Sequence, residues 1–218
     1  MNSGKSTALL QAAFNYEERG RQVLVAKPQI DTKGESLIVS RLGVERVVDF
    51  TVSPEEDIYV AFARQRERVV REFGVDVSCL LVDEAQFLSE SQVDDLLRIA
   101  IQENVPVLAY GIRTDFQTVA FPGSRRLLEI AHSLEELKTI CRCGRKAMFN
   151  ARLVDGVFVF DGDQVAIDTS TSRSASQDVR YESLCGACYL EESGGILNNG
   201  RRSKVDFSYT GGPDPDFS

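Results

Sequence analysis

The first chemical signal is the opening stretch MNSGKST. Gly4, Lys5 and Ser6 fill the last three places of the phosphate-loop pattern Gly, four residues, Gly, Lys, Ser or Thr. In such a loop the glycines let backbone N–H groups close around an anion. The lysine brings positive charge to the β- and γ-phosphates, and the hydroxyl coordinates Mg²⁺. The loop should open a helix, whose N-terminus adds a favourable field for phosphate. The first glycine of the pattern would precede Met1, as would the strand feeding the loop, so a native start upstream of Met1 is expected.

Asp83 follows the apolar run VSCLLV, the arrangement in which a carboxylate at a strand's end helps hold Mg²⁺. Glu84 is the candidate general base: alternation along the strand would turn it away from the metal, toward an acceptor hydroxyl whose proton it can take. Cys141-x-Cys143 and Cys185-x-x-Cys188 can give four thiolates to one tetrahedral Zn²⁺, with free thiols or a redox pair as alternatives. Four protein ligands leave no place for water, so such a zinc would be structural. Cys79, inside the apolar run, is expected in the core, and His132 at the surface. Phe87, Phe116, Phe121 and Tyr181 sit at expected strand ends or loops. Clustered near a phosphate site they could stack on a flat base, at about 1–3 kcal/mol per contact, which points to a nucleoside acceptor.

Composition narrows the classes. The 218 residues carry 33 acidic against 25 basic side chains, a net charge of −8, which argues against a protein that lives by neutralising nucleic-acid phosphates. No apolar run approaches the roughly 20 residues that span a membrane, and no signal-peptide pattern is present, so a cytoplasmic protein is expected. Five cysteines, four of them in two close pairs, suit metal binding better than a disulfide scaffold.

Elements that alternate between helix and strand must position these residues. Leu9, Leu10, Ala13 and Phe14 recur at helical spacing over residues 6–19, with Gly20 placed to end the helix. A strand follows at 23–26, stopped by Pro28, and a short one is expected within 47–52. Ser53, Pro54 and Glu56 read as the capped start of a helix running to Gly74. The run 77–82 reads as a buried strand, and Ser89 with Gln92 as a capping box for a helix bearing Val93, Leu96, Leu97, Ala100 and Ile101. Strands at 105–111 and 137–140 flank a helix at 122–131. The alternation implies a mostly parallel sheet with ligands at its carboxyl edge. After Cys141, runs at 157–160 and 165–167 separated by Asp-Gly turns suit antiparallel ribbons, and the Ser/Thr-rich stretch 168–178 reads as a mobile loop. Three parts are expected: a nucleotide-binding α/β domain over 1–138, a zinc-binding domain over 139–192 and a disordered tail over 193–218.

With MNSGKSTALL, LLVDEAQFL, AYGIRTDFQ, LKTICRCGRKA and RYESLCGACY in this order, the chain resembles the type II thymidine kinases, the zinc-containing P-loop family. The resemblance implies a RecA-like domain lacking here its first strand, and a small zinc-binding β domain whose lasso loop closes over the nucleoside. It implies ATP-dependent phosphorylation of the 5′-hydroxyl of thymidine in nucleotide salvage, with deoxyuridine also accepted, feedback inhibition by dTTP, and a homotetramer. Matched motif to motif, Ser3, Gly4, Lys5, Ser6 and Thr7 fall on the phosphate loop, Asp83 on the metal-binding acid and Glu84 on the catalytic base. Met1, Phe87, Ile112, Phe116, Phe121 and Tyr181 fall on positions around the nucleoside base. Asp31 matches an acid near the phosphates, and Arg152 a phosphate contact. Lys33 stands where the family has arginine, keeping the charge without the bidentate fork. Asp168-Thr169 replaces the family's Gly-Gly after the lasso strand.

Two other functions fit some of these residues. Asp-Glu-Ala-Gln also resembles a helicase box, so a nucleic-acid-stimulated P-loop ATPase with a zinc ribbon is one alternative, which salt-sensitive DNA binding would reveal. A degenerate, non-catalytic nucleotide-binding protein is the other.

Overall fold

The computed structural model describes residues 4–29, 37–39, 43–162, 178–197 and 201–202. Met1, Ser3, Asp31, Lys33, the run at 165–167, the lasso position Asp168-Thr169 and the end of the expected tail lie outside the described residues.

In chain order the elements are α1 (Lys5–Glu17), β1 (Gln22–Pro28), β2 (Leu37–Val39), β3 (Glu45–Val47), β4 (Phe50–Val52), α2 (Ile58–Phe73) and β5 (Val77–Val82). A 3₁₀ turn (Ala85–Phe87), α3 (Glu90–Gln102), β6 (Val107–Ala109) and α4 (Pro122–Ile130) follow. The last are β7 (Phe149–Val154), β8 (Val157–Val159), β9 (Val179–Leu184), α5 (Gly186–Glu192), β10 (Ile196–Leu197) and β11 (Arg201–Arg202).

Four strands form a parallel sheet in the order β4-β1-β5-β6. Parallel strands are buried on both faces, and here the side chains alternate between two cores. Leu24, Ala26, Leu80 and Val82 pack with Ile58 and Phe62 of α2 and with Val93, Leu96 and Ile99 of α3. On the opposite face Val23, Val25, Cys79 and Leu81 pack with Leu9, Leu10 and Ala13 of α1. Burying each large aliphatic side chain contributes about 1.5–3 kcal/mol, so α1 and α3 hold the sheet's central strands rigidly from both sides.

Several boundaries differ from the sequence reading. The residues 53–56 make a turn, and α2 starts at Ile58 with Asp57 as its cap, accepting from the Val60 N–H at 3.0 Å. The reason is tertiary: the buried Gln92 amide donates to the carbonyls of Ser53 (2.8 Å) and Glu56 (2.9 Å), oxygens a helix would need for its own first bonds. The expected strand at 47–52 is two strands, β3 and β4. Between them the Asp49 carboxylate accepts the Val25 N–H at 2.7 Å while its own N–H donates to the Val25 carbonyl, so a side chain stands in for the ladder where the chain changes sheets. β1 runs two residues past the apolar run and ends at Pro28. On α3, Ile99 is in the core and Ile101 is exposed, because the buried stripe continues from Val93 and Leu96. The stretch 137–140 is not a strand. Among the described residues its ladder is a single antiparallel bridge, Ile140 with Lys146, and without a neighbouring strand an extended segment has no ladder to join.

β8, β7 and β9 form a separate antiparallel sheet. Its β7–β8 turn is Asp155-Gly156, both left-handed (φ 50° and 81°), which matches the twist of a two-residue hairpin. The sequence pattern predicts neither β7 nor β9. Cys141, Ala147, Ala151, Leu184, Cys185 and Tyr189 form the core beneath this sheet. Within the expected tail, β10 pairs antiparallel with β11.

Candidate active site and metal centre

At the carboxyl edge of the parallel sheet, β5 delivers Asp83 between neighbours. Its N–H donates to the Ala26 carbonyl at 2.9 Å, and the Tyr110 N–H donates to the Val82 carbonyl at 2.8 Å. Burial pushes the Asp83 carboxyl above the usual carboxylate range and the nearby Glu84 adds to that. The Glu84 N–H, Lys5 and Lys27 pull it back. A carboxylate at a strand's end is an oxygen ligand of the kind a hard divalent cation takes.

Lys5, in the first turn of α1, is close enough for its charge to act on this acid. Gly4 precedes it in the left-handed conformation (φ 71°), and its carbonyl accepts the first helical bond, from the Ala8 N–H at 2.9 Å. Ser6 and Thr7, half-buried, complete that turn. The helix start therefore presents backbone N–H groups, a lysine and two hydroxyls together.

Glu84 does not continue the strand. It is left-handed (φ 50°, ψ 38°), with its N–H donating to the Asp83 carboxylate at 2.9 Å. A bulky residue in this region is uncommon and marks a specific local constraint. Strand alternation therefore does not set its direction; the sharp turn does. Its carboxylate accepts from the carboxamide of Gln86, whose own oxygen accepts the Ile112 N–H at 3.2 Å.

The aromatic residues fall into two groups. Phe87, ending the 3₁₀ turn, meets Phe121 edge-on with ring centroids 5.4 Å apart. Phe121 precedes α4, and the α4 residues Gly123 and Ser124 lock that helix against the turn. A Cβ on Gly123 would lie 2.6 Å from the Ala85 carbonyl, and the Ser124 hydroxyl donates to the Ile112 carbonyl at 2.6 Å. In the second group the buried Arg152 guanidinium lies 3.8 Å from the centre of the Phe116 ring and donates to the Asp161 carbonyl at 2.6 Å. Tyr181 is the register partner of Arg152 across β7 and β9, and so shares its face of the sheet. His132 is exposed and Cys79 is fully buried.

The four cysteines of the two pairs have their sulfurs within 4.8 Å of one another, with Cys143 and Cys185 at 3.5 Å. A tetrahedron with metal–sulfur bonds of about 2.3 Å has edges of about 3.8 Å, so the cluster fits Zn²⁺. Cys141 and Cys143 sit on a tight turn closed by the Gly144 N–H on the Cys141 carbonyl (2.8 Å), with Gly144 at φ 86°. Cys185 caps α5 and Cys188 lies in its first turn. The Arg145 backbone N–H draws the Cys143 thiol down to about 7, whereas burial pushes Cys188 up to about 12.

Nothing in the sequence pattern around Lys27, Gln86 and Tyr189 points to a role for them. Lys27 precedes a strand-end proline and Gln86 stands two places after Glu84, but neither position by itself reveals a partner.

The parallel sheet with a phosphate-loop helix beside a strand-end acid defines a P-loop nucleotide-binding α/β protein, one that also carries a zinc-type cysteine centre. A family model described as thymidine kinase matches residues 1–189. The thymidine kinase of Enterobacteria phage T4 is 45% identical over 187 residues, covering 85% of this chain and 89% of the phage protein. That of Mesorhizobium japonicum is 45% identical over 196 residues, 89% of each chain, and that of Legionella pneumophila (strain Paris) 44% over 187 residues, 84% and 85%. The chain belongs to the thymidine kinase family.

Proposed function

We propose that this kinase transfers the γ-phosphoryl group of ATP to the 5′-hydroxyl of thymidine, giving thymidine monophosphate and ADP. Family membership supports the reaction. The observation that carries the residue roles is the adjacency of Asp83 and Glu84 at the sheet's carboxyl edge, within electrostatic reach of Lys5.

Ser3, Gly4, Lys5, Ser6 and Thr7 bind the ATP phosphates, Lys5 by charge and the loop by backbone N–H groups, with Asp31 nearby. Ser6 and Asp83 hold Mg²⁺, which when bound neutralises charge on the β- and γ-phosphates. Glu84 accepts the 5′-hydroxyl proton as that oxygen bonds to the γ-phosphorus and the bond to the bridging oxygen of ADP breaks. Met1, Phe87, Ile112, Phe116, Phe121 and Tyr181 surround the base, and Arg152 fixes the Phe116 ring by lying over it. Cys141, Cys143, Cys185 and Cys188 hold Zn²⁺, which supplies cross-linking of the two chain segments and no chemistry on substrate. The family supports a division into a nucleotide-binding part to residue 138 and a zinc part beyond it. It also supports a homotetramer, inhibition by dTTP, use of deoxyuridine, and a cytoplasmic place; among the described residues no helix is long and apolar enough to cross a membrane.

The test is transfer of label from γ-³²P-ATP to thymidine with and without Mg²⁺, for the full chain and for Glu84→Gln. Metal-dependent thymidine monophosphate is expected, and the variant should lose about 10²–10⁴-fold in kcat while binding thymidine. An unchanged kcat in the variant would remove Glu84 from the base role.

A further inference from the structure

We propose that Gln86 is the positioning residue for Glu84, a proposal that rests on reading Glu84 as the general base. Gln86 is 1% exposed, and a buried carboxamide is costly unless its donor and acceptor are both used. Both are. Its Nε2 donates to the Glu84 carboxylate and its Oε1 accepts the Ile112 N–H at 3.2 Å.

The partners allow one orientation only. A backbone N–H can only donate, so it must face the amide oxygen, and an ionised carboxylate can only accept, so it must face the amide nitrogen. The carboxamide is thus a directed bridge from the 111–112 segment to the catalytic carboxylate. Flipping it would set donor against donor and acceptor against acceptor.

Its frame is fixed by close approach on two sides. A Cβ on Gly111 would lie 2.9 Å from the Gln86 Oε1 and 3.2 Å from its backbone nitrogen, so a side chain there would push the very amide oxygen that accepts the Ile112 N–H. A Cβ on Gly123 would lie 3.0 Å from the Gln86 carbonyl, with α4 pressed against the turn. Glu84 is consequently held at two points. Asp83 fixes its backbone through the 2.9 Å bond from the Glu84 N–H, and Gln86 fixes its carboxylate. A left-handed glutamate with three rotatable side-chain bonds would otherwise sample several rotamers, and proton transfer needs the carboxylate within hydrogen-bond reach of the hydroxyl. The same bridge links the base to Ile112, a residue proposed to border the nucleoside, so the position of the carboxylate follows the wall of the acceptor site.

The experiment measures kcat, KM for ATP and for thymidine, and equilibrium thymidine binding for Gln86→Met and Gln86→Glu. Met fills the space without hydrogen bonds, while Glu keeps an acceptor for the Ile112 N–H and removes the donor. Both should lower kcat about 10–100-fold with thymidine dissociation constants within about threefold of the parent, the size a misplaced catalytic group commonly costs. Adding Gln86→Met to Glu84→Gln should cost nothing further, because its effect acts through the absent carboxylate. Should the Met variant unfold by circular dichroism, Gln86→Asn, whose shorter amide cannot span both partners, takes its place. Unchanged kcat in the folded variants overturns the Gln86 role, as does a loss confined to thymidine binding. An active Glu84→Gln enzyme would instead overturn the base assignment, so the two failures are distinct.

Discussion

The Tyr189 hydroxyl donates to the Phe116 carbonyl at 2.6 Å, joining the helix that carries Cys188 to the loop whose aromatic ring lies under Arg152. Burial pushes the Tyr189 phenol up to about 12, so it remains a donor throughout the physiological range. The helix beside the cysteine centre thereby braces the loop that carries Phe116.

Tyr189→Phe should therefore lower stability by about 1–3 kcal/mol, since the buried Phe116 carbonyl is left without this donor. Chemical denaturation would measure the loss. KM for thymidine should rise while KM for ATP holds, because the loop that moves carries Phe116 and not the phosphate-loop helix.

Zinc should be present at about one atom per chain and should depend on all four thiols. Cys185→Ser and Cys143→Ser should each abolish stoichiometric zinc, read by inductively coupled plasma mass spectrometry. Chelation of the parent should lower its melting temperature, because metal binding free energy is part of folding free energy. A parent that retains its melting temperature after complete zinc removal would contradict a structural centre.

Gly123→Ala tests the packing of α4 on the 3₁₀ turn. Its methyl would meet the Ala85 carbonyl at 2.6 Å and the Leu88 carbonyl at 2.7 Å, so the turn must shift. An overpacking cost of about 1–3 kcal/mol is expected. Because that turn carries Gln86 and Phe87, kcat should fall as well; thermal melts and initial rates on the same sample separate the two effects.

Acid should weaken one surface contact in a defined window. Arg66 donates to both Asp76 carboxylate oxygens, at 2.7 and 2.6 Å, and these bonds hold the Asp76 carboxyl below its usual range. The folded value lies below the unfolded one, near 3.9. Its stabilisation is thus complete above about pH 4 and fades as pH falls through the folded value. The Asp76 side chain is 55% exposed, so solvent screening limits the effect to about 0.5 kcal/mol. Asp76→Asn should be destabilised by that amount at pH 7, with its difference from the parent shrinking as pH falls below about 4, by urea denaturation at each pH.

Much of this was legible in residue order because the signals are local. GKS opens α1, VSCLLV forms β5 with Asp83 at its end, and the Ser89–Gln92 capping box closes α3 at its first turn with both bonds made. The cysteine spacings found the cluster for the same reason, each pair bringing two adjacent corners. The start of α2 was not legible, although Ser53, Pro54 and Glu56 are strong local signals, because the competing donor is Gln92, 39 residues from Ser53.

The sequence by itself determined most of the elements of the parallel sheet and its helices, the place of Asp83 and Glu84 at the end of β5, and the clustering of the four thiols, since each depends on neighbours within a few positions. Only the tertiary structure decided how Glu84 is aimed. Its left-handed backbone, the Gln86 amide and the Ile112 N–H that orients that amide come together because β5, the segment after β6 and α4 converge on one edge of the sheet. Likewise the bond from Tyr189 to Phe116 spans 73 residues. Hydrogen bonds of that separation form only after the sheet and helices are packed, when burial makes an unpaired donor or acceptor too costly to leave alone.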